Sequence, residues 1–193
     1  MDTKSKKITT YDIVAVGMMA AFVFIACRFF GVKIPTPGGS TTVKLGNGIC
    51  VLCGLLLGGW RGGLAAAIGT AFYDLSDPEF APDAWITFIR YFIMAGLAGT
   101  IAHWGGAKGR KLPRNVIAAV VGAYSYSAMY IASKVVGSML LGSAFVPAVI
   151  ANATRIVASL TNATVGIAVA LALAPALQRA FAATTFGRSF QTQ

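Results

Sequence analysis

Charged residues are scarce in this sequence, and acidic residues are the scarcest among them. Of 193 residues, 6 are Asp or Glu, and charged residues make up 11% of the chain. Soluble domains carry about 25% charged residues, because their surfaces face water. With 56% hydrophobic residues and a mean hydropathy of +0.72, the composition excludes an ordinary soluble domain and predicts a membrane protein.

The residues that catalytic and metal sites need are also few. His103 is the single histidine, so neither a histidine-based triad nor a zinc cluster is expected. Cys50 and Cys53 form a C-x-x-C pattern inside an apolar segment, where packing is favoured over redox chemistry. No G-x-x-x-x-G-K-[ST] pattern occurs, so any ATP hydrolysis has to come from partner proteins. We therefore expect no enzyme, no cofactor and no metal site.

Long apolar segments with short Gly- and Pro-containing connections indicate the architecture. We predict an all-α integral membrane protein with a single domain over residues 1–193. It is a compact bundle of six transmembrane helices with both termini in the cytoplasm. The predicted spans are 13–30, 46–60, 62–78, 84–104, 115–142 and 147–178. A bilayer core of about 30 Å requires roughly 20 residues per helix, and a chain of this length suits that number of helices.

The distribution of basic residues predicts the orientation of the chain. With the N-terminus inside, the connections on that side carry Lys4, Lys6, Lys7, Arg61, Lys108, Arg110, Lys111, Arg114, Arg179 and Arg188. The opposite loops carry Lys33 and Lys44 but also Asp77, Glu79 and Asp83. This asymmetry satisfies the positive-inside rule. Scattered basic residues predict attraction to anionic membrane lipid and give no basic stripe for nucleic acid.

Five ionisable side chains remain inside the predicted spans: Arg28, Asp74, Arg90, Lys134 and Arg155. Facing lipid at mid-depth, each would cost about 2.5–3.5 kcal/mol. They are therefore expected to face the bundle interior, a water-filled cavity or the interface. In the predicted orientation all five fall in the outer half of the membrane.

Polar and aromatic side chains accompany these charges at helical spacing. The fifth predicted span carries, at intervals of four, Tyr126, Tyr130 and Lys134. One stripe of the sixth span carries Asn152, Arg155, Ser159 and Asn162. Thr87 precedes Arg90 by three positions, and Thr70 precedes Asp74 by four. Such convergence predicts a small-molecule pocket open to the outside. The cations outnumber the single carboxylate, which favours an anionic or oxygen-rich ligand.

Structural roles remain alternatives for these groups. Arg28 and Lys134 can extend to the lipid headgroups, as long cationic side chains near span ends commonly do. Asp74 can pair with Arg90 as a structural bridge between neighbouring helices. The two tyrosines of the fifth span can serve packing alone.

Small residues mark places where helix backbones approach closely, because packing replaces the hydrophobic drive in lipid. The turn between the second and third spans is assigned to Gly58, Gly59, Gly62 and Gly63. Near the cytoplasmic end of the first span, a small-residue patch consists of Gly17, Ala20 and Ala21. This patch serves either internal packing or the docking of a partner helix.

Four segments, taken in order, are similar to a known family. They are PTPGGSTTVKLGN (35–47), LLLGGWRGGLAAAIGTAFYDL (55–75), APDAWITFIR (81–90) and NATVGIAVALALAP (162–175). The chain resembles the substrate-binding S components of energy-coupling factor (ECF) vitamin transporters, especially the riboflavin and hydroxymethylpyrimidine type. Asp74 and Arg90 match an acid and a cation of the family motifs, whereas Lys44 and Asn47 replace a histidine and an acid.

The resemblance implies an S component that captures a vitamin or vitamin-precursor-like small heterocycle outside the cell, under a lid loop at 31–44. It implies docking through Gly17, Ala20 and Ala21 onto a transmembrane T component driven by two ABC ATPases, in a prokaryotic plasma membrane. The predicted substrate-binding residues are Asn47, Asp74, Thr87, Arg90, Tyr126, Tyr130, Lys134, Asn152, Arg155 and Asn162.

A stand-alone secondary carrier or channel for an anionic metabolite is the alternative function. Such proteins usually need access from both sides of the membrane and a titratable coupling site. The inner halves of the predicted helices are nearly uncharged, which favours the capture subunit.

Overall fold

The computed structural model describes residues 9–36, 39–107 and 109–183. These ranges contain seven α-helices and a two-stranded antiparallel hairpin. The helices are α1 (Thr10–Phe29), α2 (Gly46–Leu57), α3 (Gly59–Leu75), α4 (Ala84–His103), α5 (Leu112–Leu140), α6 (Phe145–Ala151) and α7 (Ala153–Ala183). The strands of the hairpin are β1 (Gly31–Thr36) and β2 (Gly39–Lys44). Each predicted span corresponds to one of these helices or, for the last span, to two.

Four helical segments are long and apolar enough to cross a membrane: Thr10–Phe29, Ala81–Gly106, Leu112–Leu140 and Ala153–Ala180. The molecule is therefore a largely helical, multi-pass membrane protein. The helices α2 and α3 have 12 and 17 residues, which at about 1.5 Å per residue gives lengths of about 18 and about 26 Å.

The short helix α2 lies at the centre of the bundle. It contacts α1, α3, α4 and α7, and all of its residues except Leu56 are buried. A helix enclosed on every side is expected to be apolar all round, which explains the apolar sequence of this segment after Asn47. Cys50 and Cys53 are fully buried here with free thiols, in agreement with a packing role.

The predicted four-glycine turn between the second and third spans is wrong. Gly58 alone makes the turn, with φ of 83°, a left-handed conformation that glycine adopts without steric cost. The helix α3 begins at Gly59, so Gly62 and Gly63 lie inside it and are buried. These residues allow close helix packing instead: a Cβ at position 62 would lie 2.6 Å from the Cys53 carbonyl oxygen.

The predicted lid loop at 31–44 is a β-hairpin. Gly31 pairs with Lys44, and the register continues to Thr36 opposite Gly39. Pro37 and Gly38 of the predicted lid loop lie outside the described residues. The strands are rich in β-branched residues, which fit a pleated backbone: Val32, Ile34, Thr36, Thr41, Thr42 and Val43.

The predicted last span, 147–178, is broken at Asn152 into the short helix α6 and the long helix α7. The Asn152 side-chain amide donates hydrogen bonds of 2.9 Å to the Ala148 carbonyl and to Ser138 Oγ. Asparagine side chains commonly compete with backbone hydrogen bonding in this way. The break therefore follows from the residue at this position.

The connections opposite the hairpin come together at one end of the bundle. They are joined by contacts of Asp12 with Arg61, Gly58 with His103, and Gly109 with Gln178. The basic residues at this end of the bundle include Arg110 and Lys111 in the connection before α5, and Arg61 and Arg114 in the first turns of α3 and α5. Of the other basic residues predicted on this side, Lys4, Lys6, Lys7, Lys108 and Arg188 lie outside the described residues.

Candidate functional site

A cavity of about 220 Å³ lies between the hairpin and the helices α3, α4, α5 and α7. Eight of the ten predicted substrate-binding residues line it: Asp74, Thr87, Arg90, Tyr126, Tyr130, Lys134, Arg155 and Asn162. Residues that are far apart in sequence thus meet at the hairpin end of the bundle.

Asn47 and Asn152 do not line the cavity, but each forms a hydrogen bond with a residue that does. Asn47 Oδ1 accepts a 2.7 Å hydrogen bond from the buried Tyr91 hydroxyl. Asn152 Oδ1 accepts a 3.0 Å hydrogen bond from the Arg155 guanidinium. Each amide orients a side chain, Tyr91 or Arg155, that does line the cavity. Contact of Asn47 and Asn152 with a substrate stays a prediction.

A row of three tyrosines forms the aromatic wall. The ring centroids of Tyr91 and Tyr126 are 4.4 Å apart, and those of Tyr126 and Tyr130 are 6.1 Å apart with planes within 10°. The sequence reasoning missed Tyr91 and also Tyr73, which lines the cavity from α3. The signal for Tyr91 was its position four residues after Thr87, on the same helical face.

Two cations of the cavity lie against tyrosine rings. Lys44 Nζ lies 4.3 Å from the Tyr73 ring centroid and 5.7 Å from that of Tyr91. Arg90 Cζ lies 5.6 Å from the Tyr130 ring centroid, and its guanidinium donates a 2.6 Å hydrogen bond to Ser133 Oγ. Lys44 was not among the predicted site residues. The signal for it was its place at a histidine of the family motif, whereas no helical spacing indicates that the end of β2 turns its side chain into the bundle.

The alternative of a structural bridge between Asp74 and Arg90 is wrong. Among the described residues, no nitrogen of Arg90 lies within 4.0 Å of the Asp74 carboxylate. Asp74 instead interacts with the Lys44 ammonium and the Thr87 hydroxyl. Its buried carboxylate therefore faces the cavity together with these two groups.

The rim of the cavity carries a separate ion pair. Lys134 Nζ lies 2.9 Å from Asp83 Oδ2, with the two side chains 32% and 52% exposed. Lys134 thus lines the cavity, and its charge is paired with Asp83 at the cavity edge. The alternative, in which this lysine extends alone to the lipid headgroups, is therefore wrong. Arg28 is exposed at the end of α1 and is not part of the cavity wall.

Ion pairs of Lys33 hold the hairpin to the connection between α3 and α4. Lys33 Nζ lies 2.6 Å from Asp77 Oδ2 and 3.4 Å from Glu79 Oε2, and Ser40 Oγ donates a 2.5 Å hydrogen bond to Glu79 Oε1. The hydrogen bond to Asp77 raises the pKa of Lys33 and lowers the pKa of Asp77. The hydrogen bond from Ser40 is the main reason why the pKa of Glu79 is lowered.

The predicted docking patch divides between two faces of α1. Gly17 and Ala21 are exposed, and a Cβ at position 17 would have no atom within 4 Å. Ala20 is buried, and its carbonyl oxygen would collide with a Cβ at Gly69. Ala20 thus packs inside the bundle against α3, while Gly17 and Ala21 leave a shallow surface outside it.

Comparison with protein families gives one match over most of the chain. Residues 7–179 match the family described as ECF-type riboflavin transporter, S component. Comparisons with curated proteins and with solved structures give no match. Members of this family are transporter subunits and not enzymes, which agrees with the apolar helices of the chain. The chain belongs to the ECF-type riboflavin transporter S component family.

Proposed function

We propose that this protein is the high-affinity substrate-capture subunit of an ECF-type ABC importer in a prokaryotic plasma membrane. It binds a vitamin or vitamin-precursor-like small heterocycle in the cavity under the hairpin. It then delivers this substrate inward together with a transmembrane T component and two ABC ATPases. The observation that carries the proposal is that eight residues selected from sequence alone line the same cavity.

The proposed topology has six crossings, with α2 and α3 as two short ones and α6 with α7 as the last. The hairpin and the cavity then face the outside, and both termini face the cytoplasm. The basic residues of the connections opposite the hairpin support this orientation, because such residues concentrate on the cytoplasmic side.

The hairpin is the proposed lid of the site. Ser40, Thr41, Thr42 and Lys44 belong to the cavity wall, so a ligand in the cavity is covered by β2. The ion pairs of Lys33 with Asp77 and Glu79 lie at the exposed edge, where water competes with them. Exposed pairs of this kind contribute little to stability, which suits a lid that has to open.

Binding by the purified chain tests the capture role. We expect a small molecule to co-purify from mild detergent and to be released on denaturation, as detected by native mass spectrometry. Asp74→Ala and Arg155→Ala are expected to abolish this binding while the protein still inserts in the membrane. Lys111→Gln, a charge change at the other end of the bundle, is the matched control and is expected to retain the ligand.

Uptake in cells tests the partner requirement. We expect accumulation of the bound compound only when the chain is produced with a T component and both ATPases. Uptake by the chain alone, in cells that lack these partners, would contradict the proposal and favour a stand-alone secondary carrier or channel for an anionic metabolite.

A further inference from the structure

Positive charge is concentrated in the interior of the cavity, away from its rim. The wall contains four basic residues, Lys44, Arg90, Lys134 and Arg155, and three acidic ones, Asp74, Glu79 and Asp83. Glu79 and Asp83 are exposed and are bound by Lys33 and Lys134 at the rim. The interior therefore holds three cations and one carboxylate, a formal excess of two positive charges when Asp74 is ionised and of three when it is not.

Lys44 and Arg90 carry this excess without a direct ion pair, although the Asp74 carboxylate interacts with Lys44 at longer range. Among the described residues, neither side chain has a carboxylate oxygen within 4.0 Å. Arg90 is only 6% exposed, so bulk water solvates its charge poorly. The lysines of the rim, in contrast, are each paired with an acid.

The tyrosine rings compensate this charge only in part. Lys44 lies over Tyr73, and Arg90 lies over Tyr130, and the ring quadrupole attracts a cation. A ring carries no net charge, however, and cations inside a membrane-spanning bundle are costly unless they are paired. The aromatic wall therefore leaves the interior of the cavity with a net positive charge that it does not neutralise.

The geometry places the two cations near opposite ends of the tyrosine row. Lys44 Nζ is 5.7 Å from the Tyr91 ring centroid, and Arg90 Cζ is 5.6 Å from the Tyr130 ring centroid. Tyr126 lies between these rings. A flat ring packed on this row would have a cation within reach at either end, and a guanidinium presents two parallel N–H groups to a carboxylate or phosphate.

We propose that the ligand of this cavity is an anionic heterocycle whose carboxylate or phosphate is bound by Arg90, with Lys44 as the second cation and the tyrosine row against the ring. This inference rests on the proposed function, since it specifies the ligand class of the same site. It excludes neutral and cationic compounds as the preferred substrates.

Matched pairs of compounds that share a ring and differ by one acidic group test the inference. The probes are nicotinamide with nicotinate, pyridoxal with pyridoxal 5′-phosphate, and riboflavin with riboflavin 5′-phosphate. A yeast extract split by anion exchange at pH 7 into retained and flow-through fractions extends the range of ligands. The measurements are the thermal unfolding midpoint in detergent and, for each compound that raises it, the Kd by equilibrium dialysis.

We expect stabilisation by the retained fraction, and at least a tenfold lower Kd for the anionic member of any pair that binds. Arg90→Gln is expected to reduce that preference to about twofold or less, and Arg90→Lys to keep part of it. The control Lys111→Gln removes one positive charge outside the cavity and is expected to leave the preference unchanged. If Arg90→Gln does not insert, Lys44→Gln serves as the second test with the same expectation.

The outcomes separate the two proposals. Stabilisation by the flow-through fraction alone, or equal affinity for both members of a pair, would overturn the anionic ligand and leave the capture function standing. No stabilisation of the folded wild-type protein by either fraction or any probe would overturn the capture function together with this inference.

Discussion

Asn162 in α7 binds the backbone of the hairpin at Lys44 as a neighbouring strand would. Its Oδ1 accepts a 2.8 Å hydrogen bond from the Lys44 N–H, and its Nδ2 donates a 2.8 Å hydrogen bond to the Thr42 carbonyl. One side-chain amide thus satisfies both a donor and an acceptor on the free edge of β2. The position of the hairpin over the cavity therefore depends on a residue 118 positions away in sequence.

Replacing this amide is expected to loosen the hairpin. Asn162→Leu removes both hydrogen bonds, each of which contributes about 1 kcal/mol, so we expect a roughly tenfold to hundredfold loss of ligand affinity. Hydrogen exchange of the amides of β2 is expected to accelerate at the same time. Thr164→Ala, on the exposed side of α7, is the control. Unchanged exchange in Asn162→Leu would show that the amide does not hold the hairpin.

The ion pairs of Lys33 predict how the hairpin responds to pH. The pKa of Asp77 lies below its ordinary value of 3.8, and the pKa of Glu79 lies below its ordinary value of 4.5. Both carboxylates therefore stabilise the closed hairpin fully above their ordinary pKa values. This stabilisation is lost as the pH falls through the lowered pKa values. The pKa of Lys33 lies above 10.5, so its contribution is complete below that value and is lost as the pH rises through the raised pKa. The closed hairpin is therefore expected between about pH 5 and 10.

A spin label at position 32 measures this response, because Val32 is exposed and the three native cysteines are buried. We expect the label in Val32→Cys to become more mobile below about pH 4. Adding Lys33→Gln is expected to make the label more mobile near pH 7 and to reduce the change in mobility on acidification, because the Ser40–Glu79 hydrogen bond remains. An acid dependence of the same size in the lysine variant as in Val32→Cys alone would rule out Lys33 as the partner of these carboxylates, since only the Ser40–Glu79 hydrogen bond should then remain.

A buried ion pair is expected to stabilise the opposite end of the bundle. Arg61 Nη2 lies 2.9 Å from Asp12 Oδ1, and the Asp12 side chain is 1% exposed. Because removal of one partner leaves a buried charge, Arg61→Gln is expected to lower the free energy of unfolding by about 3 kcal/mol. The double variant with Asp12→Asn is expected to be less destabilised than the sum of the single changes. Additive effects in denaturant unfolding would contradict a coupled pair.

Substitutions at Gly69 and Gly17 distinguish residues that pack inside the bundle from residues that dock a partner. Gly69→Ala introduces a Cβ against the Ala20 backbone and is expected to lower stability by about 1–3 kcal/mol. Gly17→Leu enters open space and is expected to change stability by less than about 0.5 kcal/mol. We expect Gly17→Leu to retain ligand binding and to block uptake driven by the T component and ATPases. Normal uptake by this variant would exclude the exposed patch as a docking surface.

The sequence by itself determined that this is a membrane protein and selected eight residues that line one cavity. Transfer into lipid depends on each residue separately, so composition and apolar runs were sufficient to identify membrane helices. Side chains three or four positions apart share a helical face whatever the fold, which is why Tyr126, Tyr130 and Lys134 were found together. The family resemblance predicted from four short segments was confirmed over residues 7–179.

Only the tertiary structure decided which of these side chains are in contact and which residues hydrogen-bond to them from outside the cavity wall. Three contacts join residues on different elements of the chain. Lys134 pairs with Asp83, Lys44 lies over Tyr73, and Asn47 binds the Tyr91 hydroxyl behind the cavity wall. Such contacts depend on how each helix is rotated and how deep it lies in the bundle. Those two quantities are set by packing among all the helices at once, and no local spacing in the chain contains them.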